Sequence, residues 1–198
     1  MRIGMYGGSF NPPHNGHIFL AKEISSRLRL DKLVIIPSNI SPQKHNNGNI
    51  DPVHRINMCR EVFSDSIFEV SDCEIARGGR SFTFDTLNYL RECYPGSELF
   101  LLMGSDMLLS FHTWYRFEDI SDMCTICAIA REDENNTSVL EKYADTVLAG
   151  RKVQIFDIEP FEVSSSEIRE KIRNSEPCAG LIDARTEKYI KENRLYEL

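Results

Sequence analysis

The chain reads as one doubly wound α/β domain: a mostly parallel sheet with helices on both faces and a helical tail at its C-terminal end. Three observations predict this. Short apolar runs without alternation, such as Leu33-Val34-Ile35-Ile36 and Leu99-Phe100-Leu101-Leu102-Met103, have the pattern of parallel strands covered on both faces. Stretches with apolar residues at helical spacing lie between those runs, and such alternation builds a parallel sheet. The chain has 198 residues, enough for one sizeable core, and no linker or repeat divides it.

The elements follow in order. Arg2 to Tyr6 is the first strand, and a helix runs from about Gly16 to Arg29 with Leu20, Ala21, Ile24 and Leu28 on one face. Leu33 to Pro37 completes a right-handed βαβ unit. Ser38 to Asn49 is a polar loop. Asp51 and Pro52 open the next helix as N-cap and first residue, and its buried face carries Ile56, Cys59 and Phe63 beside Met58 and Val62. Ile67 to Val70 is a strand, Asp72 to Arg80 a polar connection, and Thr83 to Tyr94 a helix ended by Pro95-Gly96. Leu99 to Met103 is the strongest buried strand, and Met107 to Phe111 one helical turn. Strands at Cys124 to Ala130 and Val153 to Ile158 flank a helix from Ser138 to Leu148. Helices at about Ser166 to Arg173 and from Ala184 to Leu195 finish the chain.

Composition narrows the function. Hydrophobic residues make up 41% and charged residues 27%, with a net charge of −7, so there is no global basic field for nucleic acid or an anionic membrane. No apolar run approaches the roughly 20 residues that span a bilayer, and the N-terminus meets glycines too soon for a signal peptide. The six cysteines fall mostly within patterned elements, which fits a reducing cytoplasm. Cys124 and Cys127 have the spacing of a redox or zinc pair. In a strand, however, residues three apart face opposite sides, so core packing is the expectation.

Chemistry concentrates in Gly7-Gly8-Ser9-Phe10-Asn11-Pro12-Pro13-His14-Asn15-Gly16-His17. A strand, a Gly-rich turn and a helix start in that order suit phosphate, because backbone N–H groups converge there and the helix dipole is positive. His14 and His17 add two imidazole donors, able to hold bridging and terminal oxygens of a triphosphate. Solvent-exposed histidines or a zinc pair are the alternatives, and no Cys, Asp or Glu lies near enough in sequence to favour zinc. Neither the P-loop nor the Gly-x-Gly-x-x-Gly pattern is present. Ligands of such sheets bind beyond the carboxyl ends of strands at the switch point. The loops at 7–17, 37–45, 104–116 and 159–169 are expected to meet there in one cleft.

These residues resemble the signature of the His-x-Gly-His nucleotidyltransferases, and within them the bacterial nicotinate-mononucleotide adenylyltransferases. The resemblance spans nearly the whole chain. It includes Glu74, Arg77, Gly79 and Ser81-Phe82-Thr83 with Asp85-Thr86-Leu87. It continues with Gly104-Ser105-Asp106, Trp114, Ser165-Ser166-Glu167-Ile168-Arg169 and the tail around Tyr189-Ile190 and Leu195-Tyr196. One departure is Ser41-Pro42-Gln43-Lys44, where the family commonly reads Pro-Pro-His-Lys; the lysine is kept and His45 follows one position late.

The resemblance implies a Rossmann-like nucleotidyltransferase fold and a reaction in NAD biosynthesis: ATP and nicotinate mononucleotide give nicotinate adenine dinucleotide and pyrophosphate. Two anions must approach and charge builds on the leaving group, so cations and positioning should do the catalysis. His14, His17, Lys44 and Arg169 are the implied catalytic residues, acting as electrostatic clamps, with Mg²⁺ carried on the ATP phosphates and no metal held by the protein itself. Gly7, Gly8, Ser9, Phe10, Gly16, Gly104, Asp106, Ser165 and Ser166 are implied at ATP. Arg169 can grip two phosphate oxygens with its planar fork. Asn11, Lys44, Thr83 and Trp114 are implied at nicotinate mononucleotide, Trp114 by stacking on the pyridine ring and Thr83 by offering its backbone N–H to the carboxylate. Plainer roles stay open: capping for Ser164 to Ser166, Thr83 and Asp106, a solvated charge for Lys44, a core or rim position for Trp114. Met103, Leu108 and Leu109 read as packing. The expected partners are the two small substrates, with no nucleic acid and no membrane, and a homo-oligomer stays open.

Overall fold

The computed structural model describes residues 1–40, 50–130, 134–159, 161 and 163–197. Six strands form one sheet: β1 (Arg2–Gly8), β2 (Lys32–Pro37), β3 (Phe68–Val70), β4 (Glu98–Gly104), β5 (Thr125–Ala130) and β6 (Val153–Asp157). Their spatial order is β3-β2-β1-β4-β5-β6 and every pairing is parallel. The chain winds outward from β1 to one edge, returns, and winds from β4 to the other. The switch point therefore lies between β1 and β4, as in doubly wound nucleotide-binding sheets.

Burial on both faces explains the strand composition. Val34 and Ile36 enter one apolar cluster with Leu99, Leu101, Ile126 and Ala128. Leu33 and Ile35 enter the other with Phe100, Leu102, Cys127 and Ile129. Cys124 belongs to the first cluster and Cys127 to the second, so the pair cannot share a metal. Burial pushes both thiols up to about 12.

The long helices stand where the spacing predicts, shifted by a few residues: α1 (Asn15–Arg27), α2 (Pro52–Val62) and α4 (Thr83–Cys93). The Asp51 side chain accepts from the Val53 N–H at 2.9 Å, so it caps α2 as expected. Two helices were not anticipated. The polar connection at 72–80 contains α3 (Cys73–Arg77), and α6 (Phe117–Met123) follows α5 (Ser105–Leu109) and a 3-10 turn at Phe111–Thr113. At five and seven residues they are too short to display a helical period. In α7 (Glu134–Val147), Leu140 is buried, whereas Val139 and Val147 stand 50% and 42% exposed.

The C-terminal part makes a third core. Helices α8 (Ser165–Arg173) and α9 (Ala184–Glu192) close with Met58 of α2 over Ile168, Cys178, Ile182, Ile190, Leu195 and Tyr196. This layer packs beside the turn that follows β1.

Candidate active site

A cavity of about 1260 Å³ opens beyond the carboxyl ends of β1 and β4, larger than the ~300–1,000 Å³ usual for a single ligand. Three of the four expected loops line it, through the 7–17 turn, Gly104 to Tyr115 and 159–169. Of the fourth, Ser38 lines it, and 41–49 lie outside the described residues. Lys44, Gln43 and His45 are among those. A fifth segment joins: Glu74 of α3 and Ser81 to Thr83 before α4.

The turn after β1 is built by close packing. Phe10 adopts φ 46°, and its ring, 1% exposed, packs edge-on against Tyr6 at 5.4 Å and Phe63 at 6.1 Å. A Cβ on Gly8 would come within 3.0 Å of that ring. The ring, implied at ATP, is thus chiefly a core anchor, and it supports His17 at 4.9 Å. His14 stands at the N-cap of α1, and its N–H donates to His17 Nδ1 at 3.2 Å. An accepting Nδ1 puts the hydrogen of the neutral ring on Nε2. The two imidazoles lie 3.6 Å apart, centroid to centroid, 30° from parallel.

The helix-start argument is corrected in one respect. The Asn15 N–H donates to the Leu181 carbonyl at 2.9 Å and its side-chain amide to the Gly180 carbonyl at 2.9 Å. One amide of the α1 start is therefore tied to the C-terminal layer rather than turned to the cavity, and the imidazoles carry more of any anion contact. Gly16 is required by space: an added Cβ would stand 3.1 Å from His14 Nδ1 and 3.1 Å from Val163 Cγ1.

Helix α8 brings the second anion-friendly terminus. Ser164 caps it, accepting from the Glu167 N–H at 3.1 Å. The Ser165 hydroxyl, implied at ATP, donates to the Pro12 carbonyl at 2.9 Å. Arg169 Nη1 donates to the Asn11 carbonyl at 2.7 Å and Nη2 to the Ser166 hydroxyl at 3.1 Å. The fork expected to hold two phosphate oxygens straps α8 to the turn after β1. Asn11 is 2% exposed, and its Oδ1 accepts from the Tyr196 hydroxyl at 2.6 Å. Ser165, Ser166, Arg169 and Asn11 all line the cavity.

On the opposite wall, Thr83 is the first residue of α4, and Trp114 closes the 3-10 turn. Both line the cavity. Trp114 also packs edge-on against the core residue Phe111 at 5.2 Å, so wall and core positions coincide. Gly104 lines the cavity at the N-cap of α5. Asp106 does not: it lies exposed in the first turn of α5, and its carbonyl accepts from Ser110. Leu108 is core, whereas Met103 is both core and cavity floor.

Four contributors have no role in the sequence reading, where Glu74 and Tyr196 stand only within the family pattern. Tyr115 lines the wall beside Phe82, ring to ring at 4.9 Å. Glu74 is 4% exposed and accepts from the Thr86 hydroxyl at 2.7 Å; burial raises its carboxyl above the ordinary value. Tyr196 is the tail residue on Asn11. Arg55 is 1% exposed in α2, with its guanidinium on the Ser9 carbonyl at 2.9 Å. A signal for Arg55 existed: with Met58, Cys59 and Val62 it completes a buried helical stripe. Among the described residues, no group of three or more His, Cys, Asp or Glu could hold a metal ion.

The chain matches the Cytidylyltransferase-like family over residues 5–171. It is 33% identical to the nicotinate-nucleotide adenylyltransferase of Bacillus subtilis over 197 residues, covering 99% of this chain and 98% of that one. Two structures of Plasmodium falciparum nicotinic acid mononucleotide adenylyltransferase share the fold at 22% identity. The one complexed with NaAD has a TM-score of 0.78 and covers 98% of this chain and 97% of that one. The one complexed with APC has a TM-score of 0.75 and covers 98% and 96%.

Proposed function

The chain belongs to the nicotinate-nucleotide adenylyltransferase family, and from that premise we propose how its cavity transfers the adenylyl group of ATP to nicotinate mononucleotide. The products are nicotinate adenine dinucleotide and pyrophosphate. The observation that carries the residue assignment is convergence: His14, His17, Arg169, Thr83 and Trp114, from four separate segments, line one cavity at the switch point.

ATP occupies the side formed by the 7–17 turn and α8. The mononucleotide occupies the side formed by Ser81 to Thr83 and Trp114. Its phosphate oxygen attacks the α-phosphorus in line; a P–O bond forms there and the bond to the pyrophosphate oxygen breaks. His14, His17 and Arg169 lower the barrier by holding the charge that moves onto pyrophosphate, with Lys44 as a second cation besides Arg169. Stacking on Trp114 contributes about 1–3 kcal/mol to the pyridine ring if it behaves as base stacking does elsewhere. The α4 start favours an anion at Thr83, which selects the acid over the amide. Asn11 acts through its backbone and its link to Tyr196.

Mg²⁺ would enter on the ATP phosphates and supply charge neutralisation. The donor set suits that arrangement, since imidazoles and a guanidinium bind phosphate oxygens and the acidic lining residues are Glu74 and Glu159. The six free cysteines, five of them buried, fit a reducing compartment, proposed to be the cytoplasm. No helix among the described residues is long and apolar enough to cross a membrane.

A pyrophosphate-release assay with ATP and Mg²⁺ tests the reading. Release should depend on nicotinate mononucleotide and be slower with the amide mononucleotide. Release that is equal or faster with the amide would overturn the assigned selectivity, and none with either would overturn the activity.

A further inference from the structure

Arg55 is a buried cation directly beneath the nucleotide turn. It does not line the cavity, but Ser9, whose carbonyl it holds at 2.9 Å, does. Its Nε is buried with no hydrogen-bond partner among the described residues. No ion pair among the described residues includes it. Asp51, Glu74, Cys59 and Tyr196 surround it, and burial holds its charged form less favourably than in water. A buried guanidinium without a direct ion pair is costly and is retained where its charge or its fork has a use.

The use follows from the geometry of one peptide. In a trans peptide the C=O and the next N–H point in opposite directions. By drawing the Ser9 carbonyl down into the protein, Arg55 turns the Phe10 N–H the other way and keeps a carbonyl dipole from facing the cavity. Phe10 sits at φ 46°, a conformation a non-glycine residue keeps only when its surroundings enforce it. Arg169 holds the carbonyl of Asn11, two residues on, from α8. The two guanidiniums thus fix the carbonyls on either side of Phe10.

We propose that Arg55 is a positioning residue for ATP, which orients the Ser9–Phe10 peptide toward the triphosphate and places a fixed positive charge beneath it. This rests on the assignment of the turn to ATP. Bound triphosphate then adds negative charge to that of Asp51 and Glu74, neither of which pairs with Arg55 directly.

Arg55→Met keeps length without charge or donor, and Arg55→Lys keeps charge. ATP affinity by titration calorimetry without mononucleotide, melting temperature, and KM for each substrate separate the possibilities. Arg55→Met should melt at or above wild type, because an unpaired buried ion is gone. Its ATP affinity should fall about tenfold or more, on the scale of a misplaced active-site group, and depend less on salt. KM for nicotinate mononucleotide should change by less than about threefold, and Arg55→Lys should recover a large part of the ATP loss. A folded Arg55→Met that binds ATP within about twofold of wild type, or equal weakening of both substrates, overturns the proposal. Should Arg55→Met not fold, Arg55→Lys decides: selective weakening of ATP supports it, while equal weakening or failure to fold assigns Arg55 to the fold alone. Wild-type protein that binds no ATP is a separate result; it removes the ATP assignment and this inference together.

Discussion

Gly16→Ala separates activity from stability. The backbone of Gly16 is helical and within reach of alanine, and at the second residue of α1 the change gains at most the about 0.5–1 kcal/mol of a helix-interior replacement. Against this, the new Cβ would meet His14 Nδ1 and Val163 Cγ1, each at 3.1 Å. Comfortable contact is about 3.5–4.0 Å, so each neighbour must yield by roughly 0.5 Å. Val163 lies in the lead-in to α8, half-buried against the third core. The His14 ring cannot move alone, because it stacks on His17 at 3.6 Å and the backbone N–H of His14 is bonded to that same ring. A misplacement of about 1 Å costs about 10²-fold in rate, so half that displacement should lower kcat by about 10-fold. The helix gain and the strain nearly cancel, leaving the melting temperature within about 4 °C of wild type. Pyrophosphate release and a thermal melt on the same preparation check both halves. A kcat within about threefold of wild type, or a loss of activity that tracks unfolding, would refute the reasoning.

Three further outcomes are expected. His17→Ala should lower kcat by about 10²–10³-fold with an unchanged circular dichroism spectrum; a rate within a few-fold of wild type would make the histidine peripheral. Trp114→Ala should raise KM for nicotinate mononucleotide more than KM for ATP, and the reverse order in steady-state kinetics would move Trp114 to the adenine side. Burial holds the Glu74 carboxyl above its ordinary value, outweighing Ser81, Thr86, Arg77 and Arg55, which pull it down. The folded state then binds the proton more tightly than the unfolded chain, so this contribution is full below the unfolded value and is lost as pH rises through the folded one. Glu74→Gln should accordingly gain stability over wild type at pH ~8 and lose that advantage toward pH ~4; a pH-independent difference in melting temperature would contradict the assignment.

The strands were legible because parallel strands buried on both faces must be apolar throughout, and Leu33 to Ile36 and Leu99 to Met103 have no other economical reading. Helices of eleven residues or more announced themselves by period and caps. The five-residue α3 and the seven-residue α6 did not, since a turn or two gives no period to read, and α6 starts at Arg116 in a left-handed conformation that local propensity does not favour.

For the site, the sequence by itself determined which loops meet: His14, His17, Trp114 and Arg169 line one cavity because each follows a parallel strand, whose carboxyl ends share one edge of the sheet. Only the tertiary structure decided what else those groups do. Hydrogen-bond partners distant in sequence set the tasks: Arg169 straps Asn11, Ser165 straps Pro12, Tyr196 reaches Asn11 and Arg55 turns Ser9. No local pattern encodes such pairs, because their donors and acceptors lie 46 to 185 residues apart and meet only when three cores have closed around one turn.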